Sequence, residues 1–317
     1  MVKRLLVAIP LAFVGAGWFY WVALPWPVLL RVRDPDSSAL IRQRIAEARS
    51  RGDDLEIRME WVPLDRISRR LQRAVIVAED GRFRDHGGID WNALREEFRY
   101  AGDDDFSWFD GGDLSALRAS LKYYIDNRDK VRGRSTITQQ LAKNLYFSTD
   151  RSPIRKIEEY IVARRLEAFL SKDRILELYL NIVEFGPGIF GAEAAAQHYF
   201  SRSAADLSGD QAAALAATLP HPLTSNPEQR PGRMQRRKAL ILAQMGGRGP
   251  VRTVPLDAAT EEAAAEQERA PIGEPLRGST PAEPEPTAPP TAPRAAPPDT
   301  AVPDSVRAVP PDTAGTD

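Results

Sequence analysis

Two short runs carry residue types that a plain scaffold would not need. The first is Glu79-Asp80-Gly81-Arg82-Phe83-Arg84-Asp85-His86-Gly87-Gly88. The second is Gly133-Arg134-Ser135-Thr136-Ile137-Thr138-Gln139-Gln140-Leu141-Ala142-Lys143-Asn144. Glu79 closes an apolar stretch, and Asp80, Phe83 and His86 follow it. A carboxylate at the mouth of an apolar helix, beside an aromatic ring, can act as a general acid or base. Taken alone, Glu79 reads first as half of a solvated Glu-Asp pair at a helix end. The hydroxyls and amides of the second run are neutral hydrogen-bonding groups. Lys143 lies one turn beyond Gln139 and Gln140, so the set suits a phosphate or a sugar. A helix N-terminus capped by Ser135 would explain one hydroxyl but not the cluster.

A third group strengthens the anionic reading. Arg155 and Glu159 are four residues apart and share a helix face, with Lys156 beside them. An exposed salt bridge is the plain account of such a pair. The density of Arg128, Lys130, Arg132, Arg134, Lys143, Arg151, Arg155 and Lys156 goes beyond it and suits a diphosphate. There is no Gly-rich phosphate loop and no base-stacking motif, which argues against nucleotides and nucleic acid. The chain has no cysteine and three histidines, His86, His198 and His221, so no Cys-based or His-rich metal site is expected.

The elements that must position these groups are mostly helical. The spacing predicts helices over Ile67–Ala78, Trp91–Tyr100 with Asp90 as cap, Leu114–Asn127, Ile137–Phe147 and Ile154–Leu170. Asp173–Val183 follows, with Ile175, Leu176, Tyr179, Leu180 and Val183 as its buried stripe. Gly186-Pro187-Gly188 breaks it, and Phe190–Phe200, Ala212–Leu219 and Arg233–Met245 complete the set. Ser208 to Gln211 reads as a capping box. Leu55–Val62 alternates like a short strand, inside a polar linker spanning 31–65. Ala101–Asp113 is acidic and aromatic and reads as a surface loop, with a lid or a dip into a membrane interface as the sharper alternative.

The chain ends differ from this body. Leu5–Leu30 holds 26 residues without a charge, enough to cross a bilayer, with Trp18, Tyr20, Trp21 and Trp26 near its far end. A retained anchor over residues 1–30 is expected rather than a cleaved signal peptide, with the short N-terminus inside and the large domain exported. From Gly246 to Asp317 there are 15 of the 26 prolines, 12 acidic and 6 basic residues. That 246–317 tail lacks the apolar material to fold and is expected to be disordered. Residues 1–245 therefore carry about +5 net, which again points to an anionic partner.

The ordered motifs resemble those of a known family. Glu79-Asp80-x-x-Phe83-x-x-His86-x-Gly88 comes first. Gly133-x-Ser135-Thr136-Ile137-Thr138-Gln139-Gln140-x-x-Lys143-Asn144 comes second. Arg155-Lys156-x-x-Glu159 and Lys172-x-x-Ile175-Leu176-Glu177-x-Tyr179-Leu180-Asn181 follow. In that order they resemble the peptidoglycan glycosyltransferases, glycosyltransferase family 51, over about Arg66 to Met245. The resemblance implies a mainly α, lysozyme-like domain (66–245) with a smaller membrane-proximal jaw lobe, preceded by one transmembrane helix. No transpeptidase domain is seen after it, so a monofunctional biosynthetic transglycosylase is implied.

It also implies polymerisation of lipid II on the outer face of the inner membrane. In the family's roles Glu79 is the general base. Glu159, Arg155 and Lys143 lie by the donor diphosphate with Lys156 in support, and Ser135, Thr136 and Gln139 line the site. Asp80, Phe83 and His86 belong to the substrate side. No cofactor is obligatory, though a divalent cation such as Mg could assist at the diphosphate. The implied partners are lipid II, the lipid-linked glycan chain, the membrane and other cell-wall synthesis or division proteins. Two departures stand out: a long gap between the first two motifs, filled by Ala101–Asp113, and Arg134 where a small residue is usual. The rival readings are a lytic, lysozyme-like hydrolase and an inactive wall scaffold. The hydrolase would not need the Ser135–Gln140 run beside clustered Lys143, Arg155 and Lys156, and with all the motif residues present nothing suggests a scaffold's lost activity.

Overall fold

In the computed structural model, residues 2–102, 107, 110–127, 135–147 and 152–247 are described. The chain divides into units 1–274 and 275–317, and the second lies wholly outside the described residues, as does the expected disorder of the tail beyond Gly247. The fold is mainly helical, as its sequence periodicity predicts. Eleven helices and three short strands are found among the described residues.

Helix α1 runs Val2–Ala23 and a 3-10 turn follows at Pro27–Arg31. The side chains of residues 2–10, 12 and 13 lie outside the described residues, and the expected anchor rests largely on them. Among the described residues no helix is long and apolar enough to cross a membrane.

The polar linker is structured. Helix α2, Ala39–Ser50, starts at Ser38, whose side chain accepts from the Ile41 N–H at 3.2 Å. It buries Leu40, Ile41 and Ala48. The alternation over Leu55–Val62 yields only a two-residue strand, β1 (Arg58–Met59). The reason lies in its partner. Gly186-Pro187-Gly188 does more than break a helix: it turns β2 (Glu184–Gly186) into β3 (Ile189–Phe190). With strand order β1-β3-β2, β1 pairs parallel to a β3 that offers only Ile189 and Phe190. Gly188 sits at φ +74°, and a Cβ there would stand 2.3 Å from the Glu56 carbonyl. Glycine is therefore required for that close approach.

The helical body forms where apolar stripes have somewhere to go. Helix α3 (Arg69–Glu79) is capped by Ser68 and buries Leu71, Ala74, Val75, Val77 and Ala78. Helix α4 (Trp91–Glu97) is capped by Asp90 and stops three residues before the predicted Tyr100, and Arg99 turns to φ +50°. Helices α5 (Gly111–Asn127), α6 (Ile137–Tyr146), α7 (Pro153–Phe169) and α8 (Lys172–Ile182) follow. On α7 the apolar Ile154 and Ile157 are exposed, and Val162, Ala163 and Leu166 face the core instead. Helix α9 spans Ala192–Phe200. Helix α10 (Gly209–Thr218) starts from the Ser208–Gln211 capping box. Helix α11 (Pro231–Gly246) packs with α10 on α3, and α6 packs on α7 and α8. Asn181 ties the linker to this body. Its amide exchanges both hydrogen bonds with the Val62 backbone at 2.9 Å and donates to the Glu177 carbonyl at 2.8 Å.

The sheet holds a buried carboxylate. Glu184 is 3% exposed and pairs with Arg44 of α2 at 3.0 Å. Burial pushes its carboxyl up to about 7, against the pull of Arg44. In the unfolded chain the same group ionises near 4.5. The folded state thus holds the extra proton, and stability falls as pH rises between these values, levelling off above about 7. Denaturant unfolding of Glu184→Gln from pH 4 to 8 should lack this slope. Wild-type and variant curves that stay parallel would contradict the assignment.

Candidate active site

Glu79 is the last residue of α3, at the junction of the two helix groups. Its carboxylate is 11% exposed and is gripped from both sides. Arg237 of α11 donates to Oε1 at 3.1 Å and also to the Ala78 carbonyl at 2.7 Å. Gln140 of α6 donates to Oε2 at 3.0 Å. The Gln140 amide is itself oriented, because Tyr179 of α8 donates its hydroxyl hydrogen to Oε1 of Gln140 at 2.9 Å. Tyr179 is fully buried; burial first, and then the Glu79 carboxylate, push its phenol well above the ordinary value. It stays a protonated hydroxyl able to donate, and the amide that accepts from it turns its NH2 toward the acceptor-only Glu79 carboxylate.

A continuous hydrogen-bonded path leads from there to the basic pole. The Gln140 amide nitrogen also reaches the Ser135 carbonyl at 3.3 Å. The Ser135 hydroxyl accepts from Lys156 Nζ at 2.9 Å, and Lys156 pairs with Glu159 at 3.2 Å. Arg155 pairs with the other oxygen of Glu159, which is 3% exposed. Two cations thus face one buried carboxylate. Arg155 Nε is buried with no hydrogen-bond partner among the described residues. An orphaned buried donor costs about 1–3 kcal/mol, a cost that an arriving anion would offset. Lys143 lies in the last turn of the same helix as Gln140, half-buried. Arg128, Lys130, Arg132, Arg134 and Arg151 of the expected basic set lie outside the described residues, as do most positions of the acidic stretch between residues 103 and 109.

The other motif residues build the floor. Asp80 is 4% exposed and accepts from the Ile137 N–H at 3.0 Å, at the first turn of α6, where a negative charge is favoured. His86 Nε2 lies 3.0 Å from both Asp80 oxygens. Its Nδ1 accepts from the Gly88 N–H at 3.2 Å, so the Nε2 hydrogen points at Asp80. Phe83 is fully buried, with Lys172 Nζ 4.4 Å above its ring. Thr136, not Ser135, is the N-cap of α6. It forms a reciprocal capping box with Gln139 and donates to the Gly88 carbonyl at 2.7 Å. The first motif is thereby pinned to the N-terminus of the second. The structure brings Glu79, Ser135, Arg155, Lys156 and Glu159 onto one path. It sets Asp80, Phe83, His86, Thr136 and Gln139 beneath that path as its support.

Arg237, Tyr179 and Gln140 complete the grip on Glu79, and no motif assigned them that role. Arg237 had one legible signal: it falls on the buried face of α11 with Met234 and Ile241, an unusual place for an arginine. Asp80, His86 and Asp90 place ligand atoms within 4.8 Å of one another, as a metal site would. Each already has hydrogen-bond partners, however. Asp90 caps α4 and pairs with Arg82 at 2.9 Å, while Asp80 and His86 serve each other and two backbone N–H groups. Glu159 already faces two cations. The described residues fit an anion at this pole better than a resident divalent cation.

A carboxylate held by Arg237 and Gln140 is thus linked through Ser135 to the two cations on α7. A family model described as transglycosylase matches residues 47–101 and 92–246. A biosynthetic peptidoglycan transglycosylase of Bordetella pertussis is 44% identical over 213 residues, 67% of this chain and 80% of the relative. Proteins described in the same words from Herminiimonas arsenicoxydans and Thiobacillus denitrificans are 40% and 37% identical, over 74% and 77% of this chain and 87% and 94% of theirs. The chain belongs to the transglycosylase family and is a glycosyltransferase.

The Tyr179 hydroxyl gives a direct test of the grip. Tyr179→Phe keeps the ring and loses one hydrogen bond, about 1 kcal/mol of stability. It frees the Gln140 amide to rotate, and turnover should fall about tenfold, the size of one misdirected hydrogen bond. Unchanged turnover would show that Gln140 needs no orienting partner.

Proposed function

We propose that the protein polymerises lipid II into glycan strands. The single observation that carries this reading is the hydrogen-bonded path from Glu79 through Gln140, Ser135 and Lys156 to Glu159. It joins a candidate base to an anion-binding pole, which is what transfer from a sugar diphosphate requires. The relatives' description as biosynthetic peptidoglycan transglycosylases supports the substrate class.

In this reading Glu79 takes the proton from the 4-hydroxyl of the acceptor GlcNAc. The freed oxygen attacks the anomeric carbon of the donor MurNAc, the bond from that carbon to the diphosphate oxygen breaks, and configuration inverts. The electron pair leaves on undecaprenyl diphosphate, whose charge Arg155, Lys156 and Lys143 offset. Glu159 holds the first two in place. Ser135 borders the donor, and no step passes through a metal ion.

The membrane side of the proposal rests on surface chemistry. Helix α1 has 22 residues, about 33 Å at 1.5 Å per residue, and its described Trp18, Phe19, Tyr20 and Trp21 are exposed. Helix α5 exposes Leu117, Leu121 and Ile125 at four-residue spacing, and α7 adds Ile154 and Ile157. Exposed apolar rows of this kind suit the headgroup boundary. We place α1 as a single anchor in the inner membrane and the catalytic domain on its periplasmic side, with α5 as part of a membrane-proximal jaw.

Purified full-length protein given lipid II should produce glycan strands. Glu79→Gln should lose about 10²–10⁴ in rate, the range of a positioned base. Digestion of finished glycan without polymerisation would point instead to a hydrolase. Glu159→Ala should also cripple turnover, because it removes the partner that holds Arg155 and Lys156; near-normal rates would return Glu159 to a purely structural salt bridge.

A further inference from the structure

The end of α1 is bolted to the helix that carries the diphosphate-side residues. Arg165 of α7 is 5% exposed, although arginine is rarely buried without a specific reason. Its guanidinium stacks on two rings, 4.6 Å from the Trp21 centroid and 3.9 Å from that of Trp26. It donates to the Leu24 carbonyl at 2.6 Å, to Pro25 at 3.1 Å, and to the Trp21 carbonyl. A helix end leaves its last carbonyls without partners and carries partial negative charge. Arg165 answers both needs from another helix. Trp26 completes the cap by donating from Nε1 to the Val22 carbonyl at 2.9 Å, and its ring meets Phe169 of α7 edge-on at 6.0 Å.

A second attachment lies two turns away. Tyr20 donates to Glu158, seven residues before Arg165 and on the same face of α7. Two points about 10 Å apart fix a tilt, where one point would leave a hinge. Between them on α7 sits Glu159, and Arg155 and Lys156 lie within one turn of Glu158. The chain beyond the bolt is held too: Arg174 of α8 donates to the Leu30 carbonyl at 2.8 Å and pairs with Asp34 at 2.7 Å.

We infer that Arg165 is a positioning residue, setting the height and tilt at which Arg155 and Lys156 meet a diphosphate whose lipid chain stays in the bilayer. The inference rests on the reading of α1 as a membrane anchor. A lipid-borne donor has little freedom along the membrane normal, so a catalytic lobe that rocks on its anchor presents the pocket at the wrong height most of the time. A donor with a short, water-dispersible chain can follow the pocket wherever it points. The clamp therefore matters for the first donor and not for the second.

The test uses full-length protein in phospholipid vesicles and two lipid II donors, one with the full prenyl chain and one truncated to be water-dispersible. Arg165→Ala should cut turnover of the membrane-borne donor about tenfold or more and leave that of the dispersible donor within about twofold of wild type. Arg165→Lys, which keeps the charge but cannot fork across three carbonyls, should fall between them. The absence of cysteine allows spin labels at Leu11 and Ala168, both exposed. Their distance distribution should be narrow in the wild type and broad in Arg165→Ala. Equal loss with both donors, or an unchanged distribution, would overturn the inference and leave Arg165 as ordinary packing. Wild-type protein that fails to float with the vesicles would overturn the anchor reading itself, an outcome distinguishable from the other two.

Discussion

One side-chain amide governs how the site is arranged. Gln140 accepts from Tyr179, whose phenol burial keeps protonated, and presents its NH2 to two acceptors, Glu79 and the Ser135 carbonyl. Three helices and the loop before α6 meet through that one group. If the amide turned over, its oxygen would face the Glu79 carboxylate, and two acceptors would stand where a donor and an acceptor now stand. In a poorly solvated pocket that mismatch is expensive. The other grip, from Arg237, keeps the carboxylate from following. A base that must take one proton from one hydroxyl gains from being fixed in this way before the substrate arrives.

At the opposite pole, Glu159 is buried against Arg155 and Lys156, and a buried ion pair contributes little net stability by itself. Its value here is order. It holds two long cationic side chains in place and leaves Arg155 Nε, among the described residues, a donor without a partner. Below both poles, Asp80, His86 and the capping box of Thr136 and Gln139 lock the first motif to the start of α6. The polar crowding in these runs thus serves two purposes, and the residues that touch backbone are as necessary to the geometry as those that face the pocket.

What the sequence makes legible follows from the range of the interactions. Helices α3, α6 and α8 declare themselves through apolar stripes and local caps, and α10, buried all round from Ala212 to Thr218, through its capping box. Helix α2 does not: its buried Leu40, Ile41 and Ala48 make a thin stripe, and what holds it is Arg44 reaching Glu184, 140 residues away. Strands β2 and β3 flank a helix-breaking Gly-Pro-Gly, and their five residues are all buried, so they give no alternation to detect. The site divides in the same way. Glu79, Arg155 and Glu159 are readable from local motifs, whereas Arg237 meets Glu79 across 158 residues. The choice of Gln140 over Gln139 depends on which side of α6 faces α3, a fact of tertiary packing that two adjacent glutamines cannot reveal.

The central claim is that the hydrogen-bonded path joining the Glu79 carboxylate to Arg155 and Lys156 marks one binding site. A crystal structure with a non-transferable lipid-linked sugar diphosphate tests it most directly. The account predicts phosphate oxygens within hydrogen-bonding distance of Arg155 and Lys156, with the sugar extending along Ser135 toward Glu79. Diphosphate bound away from α7, or a sugar pointing away from the Glu79 carboxylate, would contradict it.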